Sequence, residues 1–453
     1  MGKIAAIAKA VLPGAFYEYL KRRACEEVFR KLNREYPAYR ERMLKRVEAV
    51  RRKEVINVLF YIWHPSFWKV DSLFRLMLEH PRFNPAICPV ASMDNPDPAK
   101  RRETLEYTRR YFKEKGYPVL EIDGIGPVTG SFVFGGADMD KIRAAFAPDV
   151  IFVQAPYESV PQAMAADMEH ELYCYVPYCY RNSEEHFSYN NATQNKYWFN
   201  FVENEPMMDF IKSIMTNKGA NLCLTGFPPV DGFLYPERFA APGAAVWKPQ
   251  GTPCKRVVWA PHWNIAGVSV LTNGIFPHVA DRMLELAHEY EGRIQFAFKP
   301  HPKLKAELYM LADWGYERTD AYYKAWENMP NGQLEQGEYA NLFAQSDALV
   351  HDSGSFIVEY MVTGNPCCFL HGKDAAVLPN FNEMTADCHA AHYLADSIEE
   401  LERFLQEVVV EGKDPKAAER RSCVQRYIVP PNNRPSAQNI IEAILGAGAY
   451  RER

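Results

Sequence analysis

The sequence predicts an α/β protein with two doubly wound parallel-sheet domains in tandem. Short apolar runs alternate with segments of helical periodicity twice along the chain, first over residues 55–224 and again over residues 256–370. Between these two series, residues 232–255 contain four prolines and show no clear period, which indicates a connection between domains. A third observation is a short polar turn between an apolar run and a helical segment near residue 352, since ligands bind at such turns in parallel sheets.

Length, composition and charge limit the function. The chain of 453 residues is long enough for two or three domains with substantial cores. Hydrophobic residues make up 47% and charged residues 24%, which is typical of a globular protein and not of a disordered one. The formal net charge of -5 argues against a nucleic-acid partner, because such proteins carry broadly basic domains. Any anion must therefore be held by a local site.

Cysteines and histidines give no indication of a metal. The ten cysteines include no Cys-x-x-Cys pair, and several lie inside apolar runs, as small core residues do in a reducing compartment. His389 and His392 could place two ligands on one helix face, but companion ligands are missing, so we interpret them as surface histidines. We expect no metal and no bound cofactor.

Residues 1–53 are predicted to form a basic helical arm, with one short and one long helix separated at Pro13-Gly14. The arm carries 15 Lys and Arg but only 6 Asp and Glu. In one interpretation it lies on an anionic membrane surface, with its apolar side in the interface (Ile4, Ile7, Val11 and Leu12). In the other it packs on the first domain (through Leu20, Val28, Leu32 and Leu44). The sequence shows no signal peptide and no apolar stretch of the roughly 20 residues needed to span a bilayer, so we expect a cytoplasmic protein. In the first interpretation of the arm, it would be peripheral on the inner face of the membrane.

Residues 54–245 are predicted to form the N-terminal domain. The apolar run Val55–Trp63 reads as its first strand and ends at His64 before a helical segment. Gly124, Gly126 and Gly130 do not lie between a strand and a helix, so they are not a dinucleotide-binding fingerprint. Further strands are expected at Ala86–Val90, Val119–Ile122, Val150–Val153, Leu172–Val176 and Asn221–Leu224.

Residues 246–432 are predicted to form the C-terminal domain, followed by a last segment, 433–453. Its strands are expected at Arg256–Ala260, Ile294–Lys299, Ala348–Val350 and Cys367–Leu370, with helices between them. In the last segment, Ser436–Leu445 reads as a helix, which we expect to cross back to the first domain.

The polar turn is the strongest candidate site. After the run Ala348–Val350 come His351-Asp352-Ser353-Gly354-Ser355, and then a segment with apolar residues at helical spacing. The first turn of a helix exposes unpaired N–H groups and the positive end of the helix dipole, and Ser355 is a suitable N-cap. Such a turn can hold a phosphate, although a well-capped helix without a ligand fits the same pattern.

Four segments of the chain form a pattern together. In order they are Leu224-Thr-Gly-Phe-Pro-Pro-Val-Asp231, Val257-Val-Trp-Ala-Pro-His-Trp263, Phe298-Lys-Pro-His-Pro302, and Asp352-x-x-Ser355 with a carboxylate four residues later. These segments, in this order, resemble the C-terminal half of the CDP-glycerol glycerophosphotransferases, which make teichoic acids and related capsule polymers. That family has the GT-B scaffold, in which two Rossmann-like domains face each other across a cleft, and the resemblance implies that residues 54–245 form the acceptor-side domain and residues 246–432 the nucleotide-binding domain. The turn is also similar to that of the UDP-N-acetylglucosamine 2-epimerases, which share the scaffold.

The resemblance implies transfer of a polyol phosphate from CDP-glycerol, or a related nucleotide donor, to a lipid-linked or saccharide acceptor without a metal. For the diphosphate it implies His301 with Lys299 two residues earlier, beside Ser353, Gly354 and Ser355. We expect His301 to be protonated next to a diphosphate, because a nearby anion raises the pKa of an imidazole.

The nucleoside and the cleft involve further residues. Glu359 lies one helical turn after Ser355 on the same face, where a carboxylate can accept the ribose hydroxyls, or alternatively is only a solvated surface residue. Asp352 would repel a diphosphate, so we expect it to organise the turn by accepting backbone N–H groups. We expect the cleft to be lined by three further side chains: His262, Trp263 and Tyr178.

The general base is not found where the resemblance implies it. Family members have a His-Gly turn after a strand of the first domain, but the corresponding residues here, Tyr175–Tyr180, contain no histidine. We expect His64 to serve as the base, because it follows a first-domain strand and an imidazole suits hydroxyl activation. His186 is the second choice.

Two alternative functions stay open. One is a sugar-nucleotide glycosyltransferase or an enzyme like the UDP-N-acetylglucosamine 2-epimerases, although Glu359 alone does not supply the several carboxylates of an epimerase. The other is a nucleotide-binding module that has lost catalysis, which the missing His-Gly turn favours. The sequence does not identify the polyol, the acceptor or the number of units added.

Overall fold

The structure of the protein, a computed structural model, describes residues 34–90, 98–122, 139–154, 168–184, 186–239, 245–265, 274–337, 339–371 and 381–447. The chain divides into two compact units. The first contains the chain up to Tyr178, Glu185–Pro229 and the segment from Pro430 onward, and the second contains Cys179–Glu184 and Val230–Val429. The chain therefore enters the second unit at Val230, and six residues of the first half belong to it.

The first unit contains a sheet of six parallel strands in the order β2-β1-β3-β4-β5-β6. Nearly all its strand residues are buried, as in parallel sheets with helices on both faces, and this explains the continuous apolar runs. The strands are β1 Ile56–Ile62, β2 Phe83–Pro89, β3 Val150–Val153, β4 Leu172–Tyr175, β5 Phe199–Val202 and β6 Leu222–Leu224.

The second unit contains another six-stranded parallel sheet, in the order β12-β11-β10-β7-β8-β9. The predicted fold class, α/β with two parallel sheets, is confirmed. The strands are β7 Lys255–Ala260, β8 Ile294–Phe298, β9 Gly332–Leu334, β10 Ala348–His351, β11 Cys367–Leu370 and β12 Tyr393–Ala395.

Helices connect most of these strands. In the first unit they span 34–51, Asp71–Glu79, Pro98–Glu114, Met139–Phe146, His186–Tyr189, Ala192–Lys196, Glu205–Ile214 and Ser436–Leu445. In the second unit they span Asp231–Leu234, Pro236–Phe239, Phe276–Glu289, Leu304–Met310, Gly315–Asn328, Ala340–Ala344, Phe356–Glu359, Glu383–Ala390, Ile398–Arg403 and Ala417–Cys423. The last two continue as π-helices over Phe404–Val410 and Val424–Ile428, and 3-10 turns lie at Pro65–Phe67, Pro228–Val230, Tyr360–Thr363 and Pro431–Asn433.

The helices at the two ends of the described chain pack in the first unit. In helix 34–51, Arg51 donates to the carbonyl oxygens of Ala443 and Ile444, each at 3.0 Å. The helix Ser436–Leu445 contacts the helix Asp71–Glu79, and Asn439 donates to the Thr225 carbonyl at 3.1 Å. Residues 34–51 thus pack in the first unit. Of the residues named for the packed interpretation of the arm only Leu44 is described, and the other three lie outside the described residues, as do residues 4–12 of the membrane interpretation.

Two expectations were wrong. Val119–Ile122 is not a strand, because only Val119 pairs with the sheet, at Ile87, and Pro89 in β2 has no N–H to continue the ladder toward Ile122. His389 and His392 are not surface residues, since their exposed fractions are 8% and 0%. The helix Glu383–Ala390 ends before His392 and the strand β12 begins directly after it, so the turn between them packs into the second unit.

Candidate active site

The candidate site lies at the carboxyl ends of neighbouring strands in the second unit. The register pairs Trp259 with Phe298 in β8, Ala260 with His351, and His351 with Phe369 in β11. The segments that follow β8, β7 and β10 therefore emerge next to one another at the sheet edge where ligands bind in such folds. They carry Lys299 and His301, His262 and Trp263, and the turn Asp352–Ser355.

Asp352 is buried beneath this turn and connects it to the segment after β7. Its carboxylate accepts the backbone N–H of His262 at 2.5 Å and that of Ile275 at 3.0 Å. Burial raises the pKa of Asp352 to about 6, although the backbone donors oppose the rise. The carboxylate is thus committed to backbone donors, which is the arrangement expected of a residue that organises the turn.

Ser353 and Ser355 place two hydroxyl groups together at the turn. Their Oγ atoms lie 3.2 Å apart. Ser355 does not cap the helix with its side chain, contrary to the expectation, because its φ of -68° and ψ of -35° are already helical. The helix Phe356–Glu359 is also only four residues long before it tightens into the 3-10 turn Tyr360–Thr363, so the helix dipole is weaker than the sequence predicts.

His301 and His262 form a pair of neutral imidazoles beside the turn. Their ring centroids lie 5.1 Å apart, and Nδ1 of His301 accepts the Lys303 N–H at 3.1 Å, which directs Nε2 away from the backbone. Burial, with His262, Lys303 and Lys299 adding to it, lowers the pKa of His301 to about 3. Burial also lowers the pKa of His262 to about 4. In the protein alone, His301 is therefore uncharged at pH 7, and protonation requires a bound anion.

Lys299 and Glu359 are both buried and bonded to the segment after β9. The Lys299 ammonium donates to the Gly337 carbonyl at 2.7 Å. The Glu359 carboxylate accepts the hydroxyl of Tyr339 and is 7% exposed, so it is not a solvated surface residue. The centroid of the Trp263 ring lies 6.0 Å from that of His301. The Lys303 ammonium lies 5.2 Å from the centroid of the same indole ring.

Asn182 is a candidate site residue that the sequence did not indicate. A Cβ atom on Gly354 would lie only 3.1 Å from Nδ2 of Asn182, so the amide lies directly over the turn. Its segment is held in the second unit by Asn382, which donates to the Arg181 carbonyl at 2.5 Å from its side chain and to the Asn182 carbonyl at 3.1 Å from its backbone. Asn182 lies just beyond Tyr175–Tyr180, the segment where the resemblance implies a histidine, and belongs to no motif.

His64, Tyr178 and His186 lie in the first unit. His64 begins the 3-10 turn Pro65–Phe67, where its Nδ1 accepts the Ser66 N–H at 3.2 Å and lies 2.8 Å from the Ser66 Oγ. Burial lowers the pKa of His64. Tyr178 packs on Phe67 with ring centroids 5.2 Å apart, and His186 is exposed.

Comparison with known families assigns the chain. The family described as CDP-Glycerol:Poly(glycerophosphate) glycerophosphotransferase matches residues 157–446, which is more than half of the sequence and includes the site in the second unit. The chain belongs to this family. It is therefore an enzyme of the CDP-glycerol glycerophosphotransferase type, and the resemblance seen in its motifs is confirmed. No curated protein matches it in sequence.

Solved structures show the same fold. A histidine-to-asparagine variant of the wall teichoic acid polymerase TagF matches with a TM-score of 0.53 and 14% identity, covering 96% of this chain and 98% of that one. A UDP-N-acetylglucosamine 2-epimerase matches with a TM-score of 0.55 and 14% identity, covering 88% and 98%. The S. aureus MnaA-UDP co-structure has a TM-score of 0.51 and 13% identity, covering 86% and 96%. These likenesses place the glycerophosphotransferase among GT-B-like proteins, and at such identities they show the fold alone.

Proposed function

We propose that this glycerophosphotransferase moves glycerol phosphate, or a similar polyol phosphate, from a CDP-activated donor to a lipid-linked or saccharide acceptor in cell-surface polymer synthesis. The observation that carries the proposal is the placement of His301 after β8 and of the Ser353 and Ser355 hydroxyls after β10, the two strands that flank β7, with His262 in contact with both segments and all of them inside the part of the chain that matches the family. One of the TagF structures is of the protein soaked with CDPG, which supports a CDP-activated donor here.

The diphosphate would bind at the turn. The Ser353 and Ser355 hydroxyls and the Asn182 amide supply neutral donors around Gly354, and His301 supplies Nε2. A diphosphate at this place would raise the pKa of His301, since the anion favours the imidazolium. On protonation Nδ1 of His301 would give up the Lys303 N–H that it accepts in the free protein, and the charged ring would neutralise part of the charge that moves onto the leaving group.

The nucleoside would extend from the turn along the helical face toward Glu359. The hydroxyl of Tyr339 fixes one carboxylate oxygen of Glu359, which orients the group to accept a ribose hydroxyl. Lys299 is bonded at Gly337 on the same side, so its ammonium adds positive charge near the nucleotide without being a surface group.

In the reaction, the acceptor hydroxyl oxygen attacks the phosphorus that carries the glycerol. A new P–O ester bond forms, the P–O bond of the anhydride breaks, and CMP leaves with the bonding electron pair. A base takes the hydroxyl proton. We assign this role to His64. While Nδ1 accepts the Ser66 N–H, Nε2 carries the proton, so the ring acts as a base in its other tautomer, in which Nδ1 gives up that N–H and donates to the Ser66 hydroxyl at 2.8 Å.

A nucleotide-binding module without catalysis is the second candidate. It is favoured by one specific observation, the absence of histidine in the segment Tyr175–Tyr180 that follows β4. Such a module would bind CDP-glycerol and release no CMP. Epimerase-like chemistry is supported by the shared fold alone.

We further propose that the enzyme works on the cytoplasmic side of the membrane, because a lipid-linked acceptor would be presented there to the basic arm of residues 1–53. Within the part of the chain that the structure describes, no helix has the length and apolar character needed to cross a bilayer. Removing residues 1–15 should reduce co-sedimentation with anionic liposomes, and unchanged binding would refute membrane contact by the arm.

A ligand screen combined with a turnover assay tests the proposed function. Thermal shift should show selective stabilisation by CDP-glycerol or CDP-ribitol over UDP-sugars and CMP-sugars, by a few kcal/mol at high ligand excess. CMP release in the presence of an acceptor extract distinguishes the enzyme from the inactive module. Stabilisation by UDP-sugars in place of CDP compounds would overturn the assignment of the donor.

A further inference from the structure

Two buried imidazoles lie directly beneath the candidate diphosphate turn. His351 is the last residue of β10, and His392 lies in the turn before β12. Both are fully buried, and their Nε2 atoms are 3.1 Å apart. His392 belongs to the His389-Ala-Ala-His392 motif, to which the proposed reaction gives no role. In the described residues no group of three or more ligands is arranged to hold a metal ion, so the pair needs another explanation.

The protons of this pair can be placed from its neighbours. Nδ1 of His392 lies 2.8 Å from the Cys388 carbonyl oxygen, which only accepts, so Nδ1 must carry a proton. Nε2 of the neutral ring is then an acceptor, and His351 donates to it from its own Nε2. Nδ1 of His351 lies 3.3 Å from the Ser353 backbone N and 3.1 Å from the Ser353 carbonyl oxygen. With the two protons of two neutral rings on Nδ1 of His392 and Nε2 of His351, Nδ1 of His351 accepts the Ser353 N–H and three hydrogen bonds form. The reverse arrangement, in which Nδ1 of His351 donates to the Ser353 carbonyl, forms two and leaves Nδ1 of His392 without a proton against the Cys388 oxygen. The first arrangement therefore gives a chain of hydrogen bonds from Ser353 through both rings to Cys388.

Burial keeps both rings neutral, so this chain has one arrangement at neutral pH. It lowers the pKa of His392 to about 3, helped by His389, Arg420 and Lys416. It lowers the pKa of His351 far below its ordinary value. Asp352 also lies next to His351 in the chain, but its carboxylate is bonded to the His262 and Ile275 N–H groups.

We propose that His351 and His392 are positioning residues for the donor diphosphate. The pair fixes the Ser353 peptide, and with it the direction of the Ser353 and Ser355 hydroxyls. This inference rests on the proposed function of the turn. It deepens that function by naming the groups that orient the phosphate donors from below.

The same short element orients the other side of the turn. Asn382 precedes the helix Glu383–Ala390 and holds the Asn182 segment over Gly354, while His392 follows that helix and holds the turn from beneath. One helix therefore anchors both groups of donors that would surround the diphosphate. Such a support from a second layer of residues is what a precisely oriented anion site requires.

Matched variants of His392 test the proposal. His392→Asn keeps a donor near the Cys388 carbonyl but is too short to accept from His351, whereas His392→Gln reaches the position of Nε2 and can accept. We expect His392→Asn to lower the affinity for CDP-glycerol about tenfold and the affinity for cytidine much less. His392→Gln should recover most of the lost affinity for CDP-glycerol. Equal loss of both ligands, or no loss of CDP-glycerol, would overturn the positioning role.

A second measurement decides the question without the nucleotide. Amide hydrogen exchange of the peptide that contains Ser353, and binding of inorganic pyrophosphate, should both respond to His392→Asn and recover in His392→Gln. If His392→Asn does not fold, His351→Gln replaces it, because that side chain can still reach His392 but leaves the Ser353 N–H without its acceptor. Failure of the wild type to bind CDP-glycerol refutes the proposed donor, whereas unchanged exchange and pyrophosphate binding refute the imidazole pair.

Discussion

If the diphosphate binds beside His301 as proposed, ligand binding is coupled to proton uptake. The pKa of His301 is lowered to about 3 in the protein alone, and a nearby anion raises the pKa of an imidazole, so the proposed complex would bind more protons than the free protein at pH values between the two pKa values of His301. Affinity for CDP-glycerol should therefore increase as the pH falls from 8 to 6. The ligand itself does not titrate there, because both phosphates of a diphosphate diester are strong acids. His301→Gln should remove this pH dependence and lower turnover at least a hundredfold.

Calorimetry in two buffers with different ionisation enthalpies measures this proton uptake directly. His278→Gln is the matched control, since His278 is an exposed histidine of the same unit. The wild type and His278→Gln should take up a proton fraction at pH 6, and His301→Gln should not. Proton uptake that persists in His301→Gln would assign it to another group, of which His262 is the nearest.

His64 gives a second prediction for a single residue. A base must be neutral, so activity should fall as the pH decreases through its pKa, which burial places below the ordinary value of an imidazole. His64→Ala should lose this acidic limb together with most of the turnover. Ser66→Ala removes the hydroxyl that would accept from Nδ1, so we expect about a tenfold lower kcat with an unchanged KM for the donor. An acidic limb that survives in His64→Ala would exclude His64 and leave His186 for the same test.

At the scale of elements, Gly226 fixes the position of the last helix. It has a φ of +89°, and a Cβ there would lie 2.5 Å from the Ser436 Oγ and 2.7 Å from the Pro430 Cβ. Gly226→Ala should therefore destabilise the first unit by roughly 2–4 kcal/mol, of which about 1–2 comes from the backbone conformation and the rest from overpacking.

Gly116→Ala separates these two contributions. Gly116 also has a positive φ, +74°, but a Cβ there would meet nothing within 4 Å. Chemical denaturation should show only the conformational loss in Gly116→Ala and a clearly larger loss in Gly226→Ala. Equal losses would mean that the close approach of Ser436 does not determine the packing of the helix.

Sequence patterns predicted the elements whose signal is local. The strands β1 and β10 are apolar runs that end in polar turns, and the helix Ser436–Leu445 has a clear apolar side. The strand β5 was missed because it contains Asn200, which is buried only because the side chain of Gln194 accepts from it at 2.6 Å. His392 was misread for a similar reason, since its burial depends on β11 and β12 pairing beside it. Contacts between distant segments decided these cases, and one sequence does not display them.

In the candidate site too, residues with a local sequence signal were predicted, and features that depend on distant contacts or backbone angles were not. His301 and the turn Asp352–Ser355 were indicated by motifs at strand ends, where the parallel sheet brings them together. Asn182 has no motif of its own and reaches the turn only because residues 179–184 join the second unit. The Ser355 cap was predicted from residue type, but capping depends on a backbone angle that residue type does not specify.

At the scale of the whole molecule, buried neutral histidines should determine the stability in acid. Six described histidines of the second unit have pKa values lowered mainly by burial: His262, His301, His351, His371, His389 and His392. In the unfolded chain they take up protons below about pH 6.5, while in the folded chain they do so only at lower pH, so stability falls as the pH decreases. Asp352 and Glu335 act in the opposite direction, because their raised pKa values let the folded state bind a proton first, but they are two groups against six.

Thermal unfolding between pH 7.5 and 5.5 measures this balance. The two fully buried rings, His351 and His392, can together lower the stability by up to about 3 kcal/mol at pH 5.5, which corresponds to a decrease in Tm of several degrees. Replacing the exposed His278 and His288 by Gln should leave the slope unchanged, since those side chains contact solvent in both states. A Tm that stays constant or rises as the pH decreases over this range would show that the second unit accommodates protonated imidazoles. The pair His351 and His392 would then lose the neutral arrangement that its positioning role requires.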